Sequence, residues 1–232
     1  LYHQLHRAVA RHIADRVVVV SSALGEELVF SGMEKLRVIR NVVSFDVPVG
    51  GEAVGSAVTV VGRLVPVKQV DHAISGFAEY VRRQNGATEL CLEIIGDGPE
   101  LAGLQTLVAS LGLEERISFL GFRSDAFERI RRSRALLMTS AREGIPTVLL
   151  EAIACGRPVV VPRVGGIPEV LEMLPGYPAM WLDAMSPEAV ADGLASAMSC
   201  PPASAELRDR AMQLFSPQRA AGEHQTLYAE LL

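Results

Sequence analysis

Six short runs rich in β-branched and aliphatic residues constrain this chain more than any other feature: Val58-Val61, Leu90-Ile95, Ile117-Leu120, Ala135-Thr139, Pro158-Val161 and Met180-Leu182. They are largely apolar at consecutive positions rather than at alternate ones, so the strands they predict bury both faces. Between them, apolar residues recur at spacings of three and four, as in Val70-Ala73-Ile74-Phe77-Val81 and Leu101-Leu104-Leu107-Val108-Leu111, which is the spacing of one helical face. Doubly buried strands alternating with helices predict an α/β fold, a doubly wound parallel sheet covered on both sides. Such sheets bind ligands outside the carboxyl ends of their strands. The residues just after each strand are therefore the functional candidates.

The flanks read differently. Residues 1 to about 45 predict a helix over Tyr2-Ala14, a strand at Arg16-Val20, a helix near Leu24-Phe30 and a short strand at Leu36-Ile39 ending at Asn41. That is too little to close a core alone, so it must dock on something. Pro48, Gly50 and Gly51 make the best linker candidate. Three helices are expected after the sheet, near Pro187-Met198, Ser204-Leu214 and Gln218-Leu231, opened by proline or serine start signals. The expected division is 1–47 as an N-terminal segment plus linker, 48–216 as the sheet domain and 217–232 as a final helix.

Charge and composition narrow the classes. A net charge of -5 without a block of Lys or Arg argues against a nucleic-acid partner. No apolar run approaches the ~18 residues needed to span a bilayer. Cys91, Cys155 and Cys200 lie far apart without a C-x-x-C pair, so they read as small core residues in a reducing compartment. The chain opens on Leu1 with no leader pattern, and is expected to be a piece of something longer.

Two places carry charge where the fold puts ligands. Strand Val58-Val61 ends in Gly62-Arg63, with Lys68 expected at the opening of the next helix. A strand-end arginine and a helix-start lysine suit a dianionic diphosphate. The plainer reading is two solvated cations in a surface loop. Strand Ala135-Thr139 leads into Glu143-Gly144-Ile145-Pro146, where Pro146 suits the first turn of a helix that carries Glu151 about one and a half turns in. Gly144 lets the backbone approach a ligand, and two carboxylates eight residues apart can meet one extended molecule. An acid favoured by the helix dipole plus an exposed helical glutamate is the bland alternative.

The order of these signals decides between the readings. Gly62-Arg-Leu-Val-Pro-Val-Lys68, Ile95-Gly-Asp-Gly-Pro99, Phe119-Leu-Gly-Phe122 and Glu143-Gly-Ile-Pro-Thr-Val-Leu-Leu-Glu-Ala-Ile-Ala-Cys-Gly-Arg-Pro-Val160 follow successive strands. This closely resembles the family-4 (group 1) retaining glycosyltransferases of GT-B fold, densely over about residues 55 to 173, with the E-x7-E pair and the Gly-Arg-Pro-Val turn as the specific elements. The resemblance implies a Rossmann-like C-terminal domain holding a nucleotide-diphospho-sugar, UDP- or GDP-linked. Arg63 and Lys68 would bind the diphosphate, and Glu143 would contact the transferred sugar near the reacting carbon. Glu151 would accept hydrogen bonds from the ribose, and the backbone of Gly144 and Ile145 would face the phosphates and sugar. The loops at Gly96-Asp97-Gly98 and Gly121-Phe122 would help enclose the nucleoside. Ile145 stands where bulkier residues are frequent and bears on the donor sugar, while Gln69 replaces a frequent glycine.

The same resemblance makes residues 1–47 the remnant of an acceptor domain whose main part is missing, and the last helix a crossover toward it. The chain as given would then bind donor and transfer poorly or not at all. A cytoplasmic place is implied, with any attachment to the inner face of the membrane made through the missing half. A GT-B sugar-nucleotide epimerase, a synthase or phosphorylase of the same fold, and a non-catalytic nucleotide-sugar-binding module are the alternatives.

Other signals carry less. Gly96-Asp-Gly-Pro-Glu-Leu101 begins like a dinucleotide fingerprint but has Leu101 in place of the third glycine. Gly165-Gly166-Ile-Pro-Glu169 reads as a turn with an acid opening the next helix, ahead of a direct donor contact. The histidines show no metal-ligand grouping, and no D-x-D triplet occurs, so no metal cofactor is expected. Trp181 reads as core rather than as a ligand platform.

Overall fold

A computed structural model describes residues 14–27, 35–43 and 55–232. The expected linker at Pro48-Gly51, the 47/48 boundary, residues 2–13 of the first expected helix and residues 28–30 of the second lie outside the described residues. A first unit holds β1 (Val17–Val19), α1 (Ser22–Glu27) and β2 (Leu36–Val38), the two strands pairing in parallel.

The main sheet comprises β3 (Ala57–Val61), β4 (Cys91–Ile95), β5 (Ile117–Phe119), β6 (Ala135–Leu137), β7 (Val159–Pro162) and β8 (Ala179–Leu182). Their order is β5-β4-β3-β6-β7-β8, all parallel. Around them lie α2 (Val70–Arg83), α3 (Leu101–Ser110), α4 (Ala126–Arg132), α5 (Thr147–Ala154), α6 (Ile167–Glu172), α7 (Pro187–Ser199), α8 (Ala205–Leu214) and α9 (Pro217–Ala229). Winding runs outward from β3 in one direction and from β6 in the other. Their junction is the switch point where such sheets open a ligand crevice.

Two separate cores show the double covering. Val58, Val60, Leu92, Ile94, Leu137 and Val160 face α2, α3 and α7 in one apolar cluster. Leu136, Val159 and Val161 face α5, α6 and α8 in the other, because neighbouring side chains along a strand point to opposite faces. The expected apolar stripe on α2 is buried as Val70, Ala73, Ile74, Phe77 and Val81. Gly76 in that helix is where α7 crosses, and a Cβ there would lie 2.2 Å from Cβ of Val190. Ser186, Ser204 and Ser216 cap α7, α8 and α9 by accepting from amides three residues on, which is the start signal read from the sequence.

Differences from the sequence reading are small and local. β4, β5 and β6 are shorter at one end than the apolar runs, β3 and β8 begin one residue earlier, and β7 is shifted one residue along. Helix α4 was not expected, since its Arg-rich sequence has few apolar positions; it forms around Ile130, which is fully buried. Pro146 precedes α5 as its cap, in extended conformation, instead of entering the first turn. Lys68 closes a 3-10 turn, Pro66–Lys68, two residues before α2. Trp181 packs on the second core while the Arg163 guanidinium carbon sits 4.1 Å above its ring. No helix of the described residues is long and apolar enough to cross a membrane.

Candidate functional site

The carboxyl ends of β3, β4 and β5 are tied together by backbone. Gly62 N donates to Ile95 O at 2.9 Å, and Gly96 N donates to Gly121 O at 2.8 Å. Gly96, at φ 138°, has no room for a side chain, because a Cβ would lie 1.8 Å from Gly62 O. A Cβ on Gly98 would lie 2.2 Å from Leu64 O. These glycines therefore serve close packing of two loops, which accounts for the incomplete dinucleotide pattern. Beside them opens a mostly apolar cavity of about 430 Å³, lined by Val61, Gly62, Arg63, Asp97 and Phe122 among others. Arg63 is exposed there, and Phe122 is 85% exposed, unusual for a large apolar side chain.

The loop after β6 supplies the second half. Thr139 Oγ1 donates to the carbonyls of Lys68 (3.1 Å) and Gln69 (2.8 Å), and Ala141 N donates to Val67 O at 2.8 Å. These bonds pin the 3-10 turn to the β6 loop and bring Lys68 Nζ within 2.7 Å of Glu143 Oε1. The Glu143 side chain is only 8% exposed. Lys68 also passes beside Gly62, its Cε 3.7 Å from where a Cβ would be, so the cavity and the ion pair form one continuous rim. Glu151 lies on the second turn of α5, half-buried, and burial raises its pKa above the ordinary carboxylate range. The amides of Gly144 and Ile145, preceding α5, donate to no acceptor among the described residues. The arrangement offers cations, free amides and acids at one sheet edge, which can hold the opposite ends of a dianionic, polyhydroxylated molecule.

Residues 49–214 match the family described as glycosyl transferases group 1, which is well over half of the chain. The chain belongs to the group 1 glycosyl transferases. It is 40% identical over 106 residues to the N-acetyl-alpha-D-glucosaminyl L-malate synthase of Bacillus anthracis, covering 46% of this chain and 27% of that protein. It is 29% identical over 204 residues to the glycosyltransferase MJ1607 of Methanocaldococcus jannaschii, itself uncharacterized, covering 79% of this chain and 51% of that protein. Among solved structures, Anabaena Alr3699/HepE in complex with UDP and glucose superposes with a TM-score of 0.81 at 21% identity, over 98% of this chain and 66% of that one. The fold is thus that of the GT-B glycosyltransferases, and the chain spans about half or less of these two curated relatives.

Within this group 1 chain the structure also changes the reading of some residues. Ile145 is 3% exposed with its side chain in the second core. A Cβ on Gly144 would point at Val20, 3.0 Å from its Cγ2, so this glycine makes room for the N-terminal unit. Sequence reasoning missed Thr139, which it placed at a strand end, and read Gly165-Gly166 as a turn ahead of a direct donor contact. A Cβ on Gly165, at φ 55°, would lie 1.7 Å from Glu143 O, and Gly166 N donates to Gly144 O at 2.7 Å. The signal for that role was the double glycine itself, whose partner loop no local pattern names.

Proposed function

We propose that this chain is the donor-binding half of a glycosyltransferase that moves a sugar from a UDP- or GDP-linked donor to an acceptor with retention of configuration. The observation that carries the reading is the Lys68–Glu143 pair at the switch point of a group 1 sheet, beside exposed Arg63. Arg63 and Lys68 take the diphosphate, and Glu143 and the Gly144-Ile145 amides take the sugar side. Glu151 takes the ribose, while Gly96 and Phe122, which line the 430 Å³ cavity, border the nucleoside together with Gly121, bonded to Gly96. A neighbour of the same fold solved with UDP and glucose supports this ligand class.

The chemical contribution is electrostatic. Charge builds on the leaving diphosphate as the glycosidic bond breaks, and fixed cations with helix-end amides offset it without a metal ion. The acceptor site belongs to an N-terminal domain of which 1–47 is the last part, with 48–216 as donor domain and 217–232 as crossover helix. A cytoplasmic location, at the inner membrane face if that domain docks there, goes with this reading. Calorimetry with UDP and GDP tests it. Arg63→Ala and Lys68→Ala should each weaken binding by about 1 to 3 kcal/mol, and unchanged affinity in both would remove the diphosphate site.

A further inference from the structure

The Glu143 loop is held from outside its own domain. Glu169, in the first turn of α6, accepts from Ser22 N at 2.9 Å through Oε2 and pairs through Oε1 with the Arg40 guanidinium. One residue further along, Asn41 Nδ2 donates to Ile145 O at 2.6 Å. On the opposite side Arg142, just before Glu143, pairs with Glu27 of α1. Ser21 between these contacts is fully buried, and a Cβ on Gly166 would lie 2.8 Å from its Cβ. The loop 142–145 is thus bounded by Gly165-Gly166 on one face and by the β1-β2 unit on the other. Glu169 bonds to two separate segments of that unit, residue 22 and residue 40, while Glu230, just after α9, holds the far side of the unit through Arg16 and Arg37.

We propose that Glu169 is a positioning residue. Its carboxylate latches the β1-β2 unit onto the sheet domain and so holds the Glu143 loop in place for the sugar. The proposal rests on the donor reading above. Its physical content is a linkage: Gly166 N carries the position of α6 directly to Gly144 O, and Asn41 carries the position of the N-terminal unit to Ile145 O. A latch that opens lets both supports move. The diphosphate candidates Arg63 and Lys68 lie on the β3 loop, whose Lys68 turn is held by Thr139 and Ala141, ahead of residues 142–145. Opening the latch should therefore cost affinity for the sugar and spare affinity for the nucleotide.

The test compares UDP with UDP-glucose, and GDP with GDP-mannose, by calorimetry on the 232-residue chain. In Glu169→Gln and separately in Arg40→Gln, the extra affinity of the sugar nucleotide over the bare nucleotide should fall about five- to tenfold, the worth of roughly one hydrogen bond. Affinity for the bare nucleotide should not fall, and the double variant should lose no more than the worse single one. Glu172→Gln, exposed at the end of the same helix, should lose nothing. Equal losses for nucleotide and sugar nucleotide, or an undiminished sugar increment in both latch variants, would overturn the latch while leaving the donor site standing. Failure of the parent chain to bind any of the four compounds would instead bring down the donor reading and the latch with it.

Discussion

Lys68 Nζ donates to Glu143 Oε1 at 2.7 Å, joining the β3 loop to the β6 loop across 75 positions of sequence. A diphosphate reaching Lys68 must compete with that carboxylate and is repelled by it. Glu143→Gln should therefore raise affinity for bare UDP or GDP about fivefold, roughly the net worth of one ordinary hydrogen bond. The same change should abolish the added affinity of the sugar nucleotide. Calorimetry with both ligand types checks it, and a weakened bare nucleotide would show that the pair assists the diphosphate instead of opposing it.

Glu151 makes binding and stability depend on pH in opposite ways. Burial raises its pKa above the ordinary value near 4.5, so between the two values the folded state holds a proton that the unfolded chain has released. Stability from this group is full below that ordinary value and falls as pH rises through the folded pKa. Glu151→Gln should raise the melting temperature at pH 8 and leave it unchanged at pH 4, while weakening nucleotide binding at pH 8. Thermal unfolding at both pH values decides it, and a variant less stable at pH 8 would contradict the burial argument.

Gly96→Ala should be far more damaging than an ordinary glycine replacement. Its Cβ would meet the Gly62 carbonyl at 1.8 Å in a backbone region that side chains avoid, so a loss above about 4 kcal/mol is expected. Gly112 has φ 65° and open space around it, and Gly112→Ala should lose only about 1 to 2 kcal/mol. Denaturant melts of the two variants make the comparison.

Phe122 contributes little to the core, being 85% exposed. Phe122→Ala should leave stability within about 0.5 kcal/mol of the parent. If it borders the nucleoside, nucleotide affinity should drop by about 1 to 3 kcal/mol, the range for an aromatic surface under a base. Loss of stability without loss of affinity would assign the ring to packing.

The β strands were legible because β6 and β7 are apolar at every position, which only a doubly covered sheet accommodates. Helix α2 was legible from its stripe and from nothing else. Helix α4 was not, because its charges dominate locally, and what orders it is Ile130 in the core and Arg129 bonded to both oxygens of Glu93 on β4. Of the candidate site, Arg63, Lys68, Glu143 and Glu151 stood out in the sequence as residue types after strands in order, and the structure brings Lys68 and Glu143 together. What no local pattern showed is that the loop turns the Ile145 side chain into the core.

The amino-acid order by itself determined which residues become strand, which face each helix buries and which loops lie at the carboxyl rim, because those follow from periodicities of two and 3.6 within a few residues. It also determined the family. Only the tertiary structure decided that Lys68 meets Glu143, that Gly165 backs Glu143, and that Glu169 holds Ser22 and Arg40. Those contacts join residues from about 20 to more than a hundred positions apart. Sequence spacing limits reach along one element, but the meeting of two loops depends on the order and twist of the strands that carry them.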